Sequence, residues 1–278
     1  MKFTLVTPVL NGAKYLPRIF QSVSSQTYAD WEHLIVDGGS TDGTCDLIRD
    51  HADKEPRIRL LEVPGSSIYE AIFAGFDTGS GDMLSWVNVD DSYTPWALAT
   101  VRKFAGNKTA QWMTGFPGAW DSDGCLRFVR PYGLWPRSFL RHGYFHSDFL
   151  GFVQAESTFF SRDLYTQLTT GQRQSVLRAK LAGDYLLWRA FAHHAPLKVV
   201  PSVLGGFHIH GANRSLTEQE AYMAEVYGSG TWHPPAWLGR RLGKMFQMLS
   251  ALTAYDAMHA ADVQLQKELG LTGDAPDQ

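Results

Sequence analysis

The stretch Met83-Leu-Ser-Trp-Val-Asn-Val-Asp-Asp-Ser-Tyr93 constrains this chain more than any other. It is an apolar run of strand length that ends in Asn88, Asp90 and Asp91, with Asp82 just before it after the turn Gly79-Ser-Gly81. A run of this kind bounded by glycine turns reads as a buried strand of an α/β sheet. Ligands of open α/β sheets bind beyond the carboxyl ends of strands, where this acidic pair falls. Adjacent carboxylates repel each other unless a cation or hydrogen-bond donors offset them. Hard divalent cations such as Mg²⁺ take oxygen ligands and leave positions open for phosphates. A plainer reading is that Asp90-Asp91-Ser92 starts a loop, with Asp91 or Ser92 capping a helix near Pro95.

The residues before this run repeat one unit. Phe3 to Val6 reads as a buried strand ending in the loop Thr7-Pro-Val-Leu-Asn-Gly12, and a helix follows from about Lys14 to Gln26, with Leu16, Ile19, Phe20 and Val23 at helical spacing. Trp31 to Val36 is a second strand, ending in Asp37-Gly-Gly-Ser-Thr-Asp-Gly-Thr44 and a helix to about His51. The glycines permit a tight turn there, and Ser40, Thr41 or Asp42 can cap the helix. Arg57 to Val63 is a third strand, and Ile68 opens a helix to about Phe76. This alternation is the sign of a parallel sheet. The glycines match neither the dinucleotide fingerprint nor a P-loop, which weakens the dehydrogenase and NTPase readings. Asp37 offers a strand-end carboxylate to a base N–H or a ribose hydroxyl; it is equally a turn residue satisfying its own backbone.

Composition bounds the rest. With 278 residues, 44% apolar and 19% charged, the chain has ample material for a core. A net charge of −3 argues against general nucleic-acid binding. Cys45 and Cys125 are too few for a disulfide or metal framework. No signal peptide or 18-residue apolar run is visible, so the expected address is the cytoplasm.

Thr7-Pro-Val-Leu-Asn11, Val36-Asp-Gly-Gly-Ser-Thr-Asp-Gly-Thr44, Ile68-Tyr-Glu-Ala71 and Asn88-Val-Asp-Asp91 resemble, in order and spacing, the successive motifs of family 2 glycosyltransferases. The resemblance implies a GT-A fold, a nucleoside-diphosphate sugar donor and inversion at the anomeric carbon. It carries Thr7, Val9 and Asp37 over as nucleoside contacts and places Asp90 on the donor nucleotide. Asp91 matches the metal-binding end of the family's acidic motif, for Mn²⁺ or Mg²⁺. Glu70 stands where many relatives have Asp, and Ser67 where they have Gly.

In the second half, Trp112 to Trp120 reads as a strand and Asp121-Ser-Asp-Gly124 as a hairpin turn. Gly124 to Ser147 has no acidic residue, while Arg127, Arg130, Arg137 and Arg141 are interleaved with Phe128, Tyr132, Trp135, Phe139, Tyr144 and Phe145. Arginine forks suit phosphates and aromatic faces suit sugars or lipid, so Arg130 and Arg137 are phosphate-binding candidates; a partly packed connection has the same composition, and single-stranded nucleic acid would use it too. Phe152 to Tyr165 resembles the family's acceptor segment, which assigns Glu156 to the acceptor; locally it could be no more than an ion-pair partner for Arg162. Leu181 to Phe191 reads as a helix opening with Asp184, ordinarily a cap, where the family places its general base. Val199 to Val203 reads as a strand, and Gly205 to Ser215 resembles an Arg-x-His-x-x-Ser region. There His208 replaces the arginine and His210 matches the histidine, a metal or diphosphate contact.

Beyond Thr217 the resemblance gives no help. Leu238, Leu242, Met245, Phe246, Leu249 and Leu252 form a helical stripe, with Arg240, Arg241 and Lys244 near its start. It suits packing on the catalytic domain, a homodimer partner or a membrane surface. The expected architecture is thus a GT-A-like α/β domain over 1–215, with a nucleotide-sugar half (1–95) and an acceptor half (96–215), and a helical extension over 216–278. The expected activity is inverting, metal-dependent transfer from a nucleoside-diphosphate sugar, UDP-sugar favoured, to a saccharide or polyprenyl-diphosphate-linked acceptor in polysaccharide assembly, in the cytoplasm and at the inner membrane face. A sugar-phosphate nucleotidyltransferase and a silent nucleotide-sugar binding module are the rivals.

Overall fold

Every residue of β1 (Phe3–Val9) and β2 (Trp31–Asp37) is buried, as a parallel sheet covered on both faces requires. The computed structural model describes residues 1–105, 111–211, 213, 217–232 and 234–268. In it, α1 (Leu16–Ser24), α2 (Thr44–Ala52), β3 (Ile58–Glu62), α3 (Ile68–Thr78) and β4 (Met83–Trp86) complete the expected alternation. The strand after the acidic run, β5 (Ser92–Tyr93), is followed by α4 (Ala97–Ala105). Ser92 is therefore in a strand and does not cap a helix.

Trp112 to Trp120 is not one strand. It divides into β6 (Trp112–Thr114) and β7 (Gly118–Asp121), which enter different sheets. The hairpin turn is as expected: Asp121 Oδ1 accepts from Asp123 N and Cys125 N, Gly124 adopts a φ of +81°, and β8 (Leu126–Val129) returns. Then come α5 (Arg137–His142), a 3-10 turn (Ala155–Ser157), β9 (Thr158–Ser161), α6 (Arg162–Thr166), α7 (Thr170–Arg178) and α8 (Gly183–Phe191). The strand expected over Val199 to Val203 lies earlier, as β10 (Leu197–Val199), and is followed by β11 (Gly205–Ile209). Two helices close the described chain, α9 (Gln219–Gly228) and α10 (Ala236–Glu268).

The main sheet has the order β10-β6-β9-β4-β1-β2-β3. β1 runs parallel to β2 and β4, β2 to β3, and β10 to β6, while β9 is antiparallel to β4 and β6. On one face Phe76, Trp86, Phe160, Trp188 and Phe191 form an aromatic core, with Trp86 and Trp188 stacked at 5.3 Å. On the other, Leu16, Ile19, Leu98 and Phe159 pack with Phe3, Leu5 and Ile35. A smaller sheet, β5-β11-β7-β8, stands beside the acidic loop.

Tyr132, Trp135 and Phe145 of the arginine-rich segment are core, whereas Phe128 is exposed. Tyr132 and Trp135 lie 4.4 Å apart, Phe145 is 4.7 Å from Trp135, and Phe246 of α10 closes the cluster 5.7 Å from Phe145. The apolar stripe of α10 does not pack as a unit: Phe246 joins the core, while Met245, Leu249 and Leu252 are exposed.

Candidate active site

The chain leaves β1 for β2 on one side and reaches β4 on the other, so the strand order reverses beside β1. A crevice opens beyond the carboxyl ends of strands at such a switch point. Val9, the last residue of β1, pairs with Asp37, the last of β2, and Val6 pairs with Trp86 at the end of β4. Asp37 and the loop carrying Asp90 and Asp91 therefore share one edge of the sheet.

Asp37 Oδ2 accepts from Gly39 N (2.8 Å) and Ser40 N (2.9 Å). Burial alone would raise its pKa, but hydrogen bonds from Ser40, Gly39 and the Cys45 thiol outweigh it and hold the carboxyl below its ordinary range. Val9 is buried, and its carbonyl accepts from Gly38 N at 2.9 Å. The Thr7 hydroxyl is fully buried and bonded to His33 Nε2 at 2.8 Å, so it faces the sheet interior. The Ser67–Glu70 pair, a departure from the family pattern, forms a reciprocal cap on α3: Ser67 N donates to Glu70 Oε2, and Glu70 N to Ser67 Oγ.

Asp91 is only 1% exposed; its Oδ1 accepts from His208 N (2.9 Å) and its Oδ2 from Asn88 Nδ2 (3.3 Å). Burial, then the charges of Glu156 and Asp90, push its pKa well up. Asp90 Oδ2 receives His210 Nε2 at 2.9 Å, and the Tyr15 ring lies 5.3 Å from that imidazole. Asn213 fixes the histidine loop, accepting from His210 N and donating to His208 O. His208 meets Ser92 Oγ through Nε2 and stacks on Trp120 at 5.8 Å. Burial lowers its pKa, so the position where the resemblance has an arginine holds a neutral ring. Ala212 and Arg214 to Leu216 lie outside the described residues.

Among the described residues no three His, Cys, Asp or Glu side chains converge as a preformed metal cage. Mg²⁺ and Mn²⁺ do not need one when a diphosphate is present, because Mg²⁺ is typically held by one or two carboxylates together with substrate phosphates and water. Asp91, crowded by two other carboxylates, and the facing Asp90–His210 pair supply donors of that kind, so the residues present fit such an ion.

Glu156 stands near Asp91, and Asp184 near Glu156, each close enough for its charge to raise its neighbour's pKa. Glu156 sits buried in the 3-10 turn, with Gln154 Nε2 donating to its Oε1 at 2.7 Å. It does not pair with Arg162, whose guanidinium donates to the carbonyls of Gly81 and Phe76. Burial, together with the Asp184 and Asp90 charges, raises the Glu156 pKa. Asp184 lies in the first turn of α8 with Oδ1 accepting from Tyr185 N at 2.7 Å. Burial, with a smaller contribution from Glu225, pushes its carboxyl up to about 6.

Several residues that position Asp184 were not singled out in the sequence. Glu225 of α9 accepts from the backbone N–H groups of Lys180, Leu181 and Ala182 at 3.1, 3.1 and 2.9 Å, clamping the turn that leads into α8. Tyr69 donates to Leu181 O at 2.7 Å, and its ring lies where any Cβ on Gly183 would have to go. Tyr222 lies close enough for the Asp184 charge to raise its pKa, after burial. Locally, Glu225 is one carboxylate among several in an ordinary helix; the Tyr69 position alone was marked, as part of Ile68-Tyr-Glu-Ala71.

The two arginine candidates stand apart from this cluster in what they bind. Arg137 donates through Nε to Ala192 O (2.7 Å) and through Nη2 to His193 O (2.5 Å), capping the carboxyl end of α8. Two of the guanidinium nitrogens of this phosphate-binding candidate are thus engaged by helix-end carbonyls. Arg130 is exposed at the end of β8, its guanidinium 4.6 Å over the Phe128 ring.

Residues 4–147, just over half of the chain, match the family described as glycosyl transferase family 2. Over 106 residues the chain is 36% identical to a PGL/p-HBAD biosynthesis glycosyltransferase of Mycobacterium bovis, covering 37% of this chain and 41% of that protein. It is 39% identical over 101 residues to the O-antigen biosynthesis protein RfbC of Myxococcus xanthus, covering 35% of this chain and 8% of the relative. The chain thus aligns with less than half the length of these curated relatives. In three dimensions it is similar to S. aureus TarS 1–349 in complex with UDP-GlcNAc, with a TM-score of 0.62, 13% identity and coverage of 88% of this chain and 71% of that one. It is also similar to the mannosyltransferase PcManGT of Pyrobaculum calidifontis in complex with GDP-Man and Mn²⁺, with a TM-score of 0.55, 16% identity and coverage of 99% and 76%. The chain belongs to glycosyl transferase family 2 and has the GT-A fold.

Proposed function

We propose that the chain is an inverting, metal-dependent glycosyltransferase that moves a sugar from a nucleoside diphosphate, a UDP-sugar by preference, to a saccharide or polyprenyl-diphosphate-linked acceptor in polysaccharide assembly. The observation that carries this reading is the arrangement of carboxyl groups at the crevice: Asp37 held ionised beside the β1–β2 strand ends, Asp90 and Asp91 beyond β4, and Asp184 raised to about 6 on the facing helix. The nucleoside lies against Val9 and the Thr7 backbone, with Asp37 accepting from the base or ribose and Asp90 from the ribose. Asp91 and His210 would hold the Mn²⁺ or Mg²⁺ ion. That ion, when bound, neutralises the charge that develops on the leaving diphosphate.

Asp184 takes the proton of the attacking acceptor hydroxyl while Glu156 holds a second hydroxyl. The new bond forms between the acceptor oxygen and the anomeric carbon as the bond to the diphosphate breaks, and its electron pair leaves on the phosphate oxygen. Attack from the face opposite the leaving group inverts the configuration. We place the protein in the cytoplasm, at the inner face of the membrane where lipid-linked acceptors are presented, with no nucleic-acid partner.

A thermal-shift panel of UDP, GDP, dTDP and CDP with Mn²⁺ or Mg²⁺ tests the donor reading, because a ligand that binds only the folded state raises the melting temperature by mass action. The expected result is a cation-dependent shift, largest with UDP. No shift with any nucleoside diphosphate would refute the reading. Pyrophosphate release from NTP and sugar phosphate would establish the nucleotidyltransferase instead. Donor binding without turnover would favour the silent module.

A further inference from the structure

Helix α10 turns its smaller residues toward the protein and its larger apolar ones away. Gly239, Gly243, Ser250 and Ala254 are buried, with Phe246 among them, at helical spacing. The approach is close: a Cβ on Gly243 would collide with the Phe149 carbonyl, and one on Gly133 with the backbone at Ala254. Ser250 Oγ accepts from Gly133 N and Leu134 N at 3.0 Å each, and Gly133 N also reaches Ser250 O. These contacts fix the rotation of the helix about its axis.

The opposite side is consequently set as well. Trp237, Met245, Met248, Leu252 and Tyr255 are 61%, 57%, 71%, 61% and 64% exposed, and Arg241 and Lys244 are exposed with them. At 3.6 residues per turn these seven fall within an arc of about 100°. From Ala236 to Tyr255 the sequence has Arg240, Arg241 and Lys244 and no acidic residue, although the whole chain carries −3; the Arg240 side chain is outside the described ones.

We propose that this face of α10 docks on an anionic lipid bilayer, with the helix lying in the headgroup plane. Tryptophan and tyrosine suit that depth, lysine and arginine reach the phosphates, and methionine and leucine enter the acyl boundary. The local positive charge complements anionic headgroups. Asp256, exposed just past Tyr255, ends the basic stretch of the helix. No helix among the described residues is long and apolar enough to cross a membrane, so the contact is with the surface.

Co-sedimentation of the full chain with phosphatidylcholine vesicles, and with vesicles containing phosphatidylglycerol, tests the proposal. Binding is expected to the second kind, weakening as salt is raised. Met248→Asp with Leu252→Asp should reduce it at least tenfold at an unchanged melting temperature, because both side chains are exposed. Arg241→Glu with Lys244→Glu should reduce it by about fivefold or more per charge. The second pair keeps the test decisive if the first variant does not fold. Equal sedimentation of wild type and charge-reversed protein would overturn the proposal. So would a wild-type dimer that binds no vesicles and is split by Met248→Asp with Leu252→Asp.

Discussion

On the strand side of the crevice, Asp37 receives hydrogen bonds that more than offset its burial and hold its carboxyl below the ordinary range. On the helix side, Asp184 has one neighbouring backbone N–H and Glu225 nearby, and burial lifts it to about 6. The same side chain is thus a fixed anion in one half and a titratable group in the other. A fixed anion suits holding a ligand, whereas a carboxyl poised near neutrality suits taking a proton. The difference follows from construction. Consecutive backbone N–H groups at the end of a parallel strand converge on Asp37. Asp184 instead comes from a buried helix start held by distant residues.

Substitutions can break this comparison, and the largest effect is expected on the strand side. Asp91→Ala should abolish turnover and the cation-dependent part of nucleotide binding, while circular dichroism shows the fold retained. Wild-type turnover unaffected by EDTA would disprove the metal role. Asp37→Ala removes a charged acceptor, a loss of about 1.5–3 kcal/mol that should weaken UDP binding by roughly 10- to 150-fold in calorimetry.

The titratable half predicts a pH dependence with a definite sign. The Asp184 pKa is raised, so the carboxyl is protonated and inactive below about 6, and kcat should climb through that pH toward a plateau above it. The unfolded chain binds fewer protons at this site between its ordinary carboxyl pKa and 6, so the group's contribution to stability falls as pH rises through that window. Asp184→Asn should accordingly melt higher than wild type at pH 8, with the gap narrowing by pH 5 and closing only below the ordinary carboxyl pKa. Glu225→Gln removes the charge that helps raise Asp184 and keeps a carbonyl for the backbone N–H groups. Its kcat profile should move toward acid, with a smaller loss at the plateau than Glu225→Ala. An unmoved profile would leave Glu225 a purely structural clamp. The smallest kinetic effect is expected for Arg137→Ala, which uncaps α8: melting should drop by an amount equivalent to about 1–2 kcal/mol with KM for the donor unchanged.

These two halves were also unequally legible. Val36 to Thr44, the Thr7–Asn11 loop and the Asn88–Asp91 end are local features. Strand periodicity and turn glycines are enough to place them at one sheet edge. Asp184 and Glu156 were found through family resemblance, since a first-turn Asp and a lone Glu look ordinary. Glu225 could not be found, because its partners lie more than forty residues away and are backbone groups. The acceptors of Arg137 are hidden for the same reason, being helix-end carbonyls far along the chain. Helix α10 shows a different limit: hydrophobic periodicity predicts that the apolar side turns inward, yet glycine, serine and alanine permit a closer backbone approach on the other side. Trp112 to Trp120, in contrast, carries its own break: Gly115, Pro117 and Gly118 interrupt the run, and β6 pairs with β9 and β10 while β7 pairs with β8 and β11.

If Asp184 moves the proton and does not bind the donor, Asp184→Asn separates the two steps. The variant keeps size and hydrogen-bonding capacity but cannot accept a proton. Donor affinity by calorimetry and release of nucleoside diphosphate in the presence of acceptor should be measured on the same preparation. Donor affinity should stay within about twofold of wild type while kcat falls by roughly 10²–10⁴. Near-wild-type kcat, or a loss of donor binding as large as the loss of turnover, would contradict that role for Asp184.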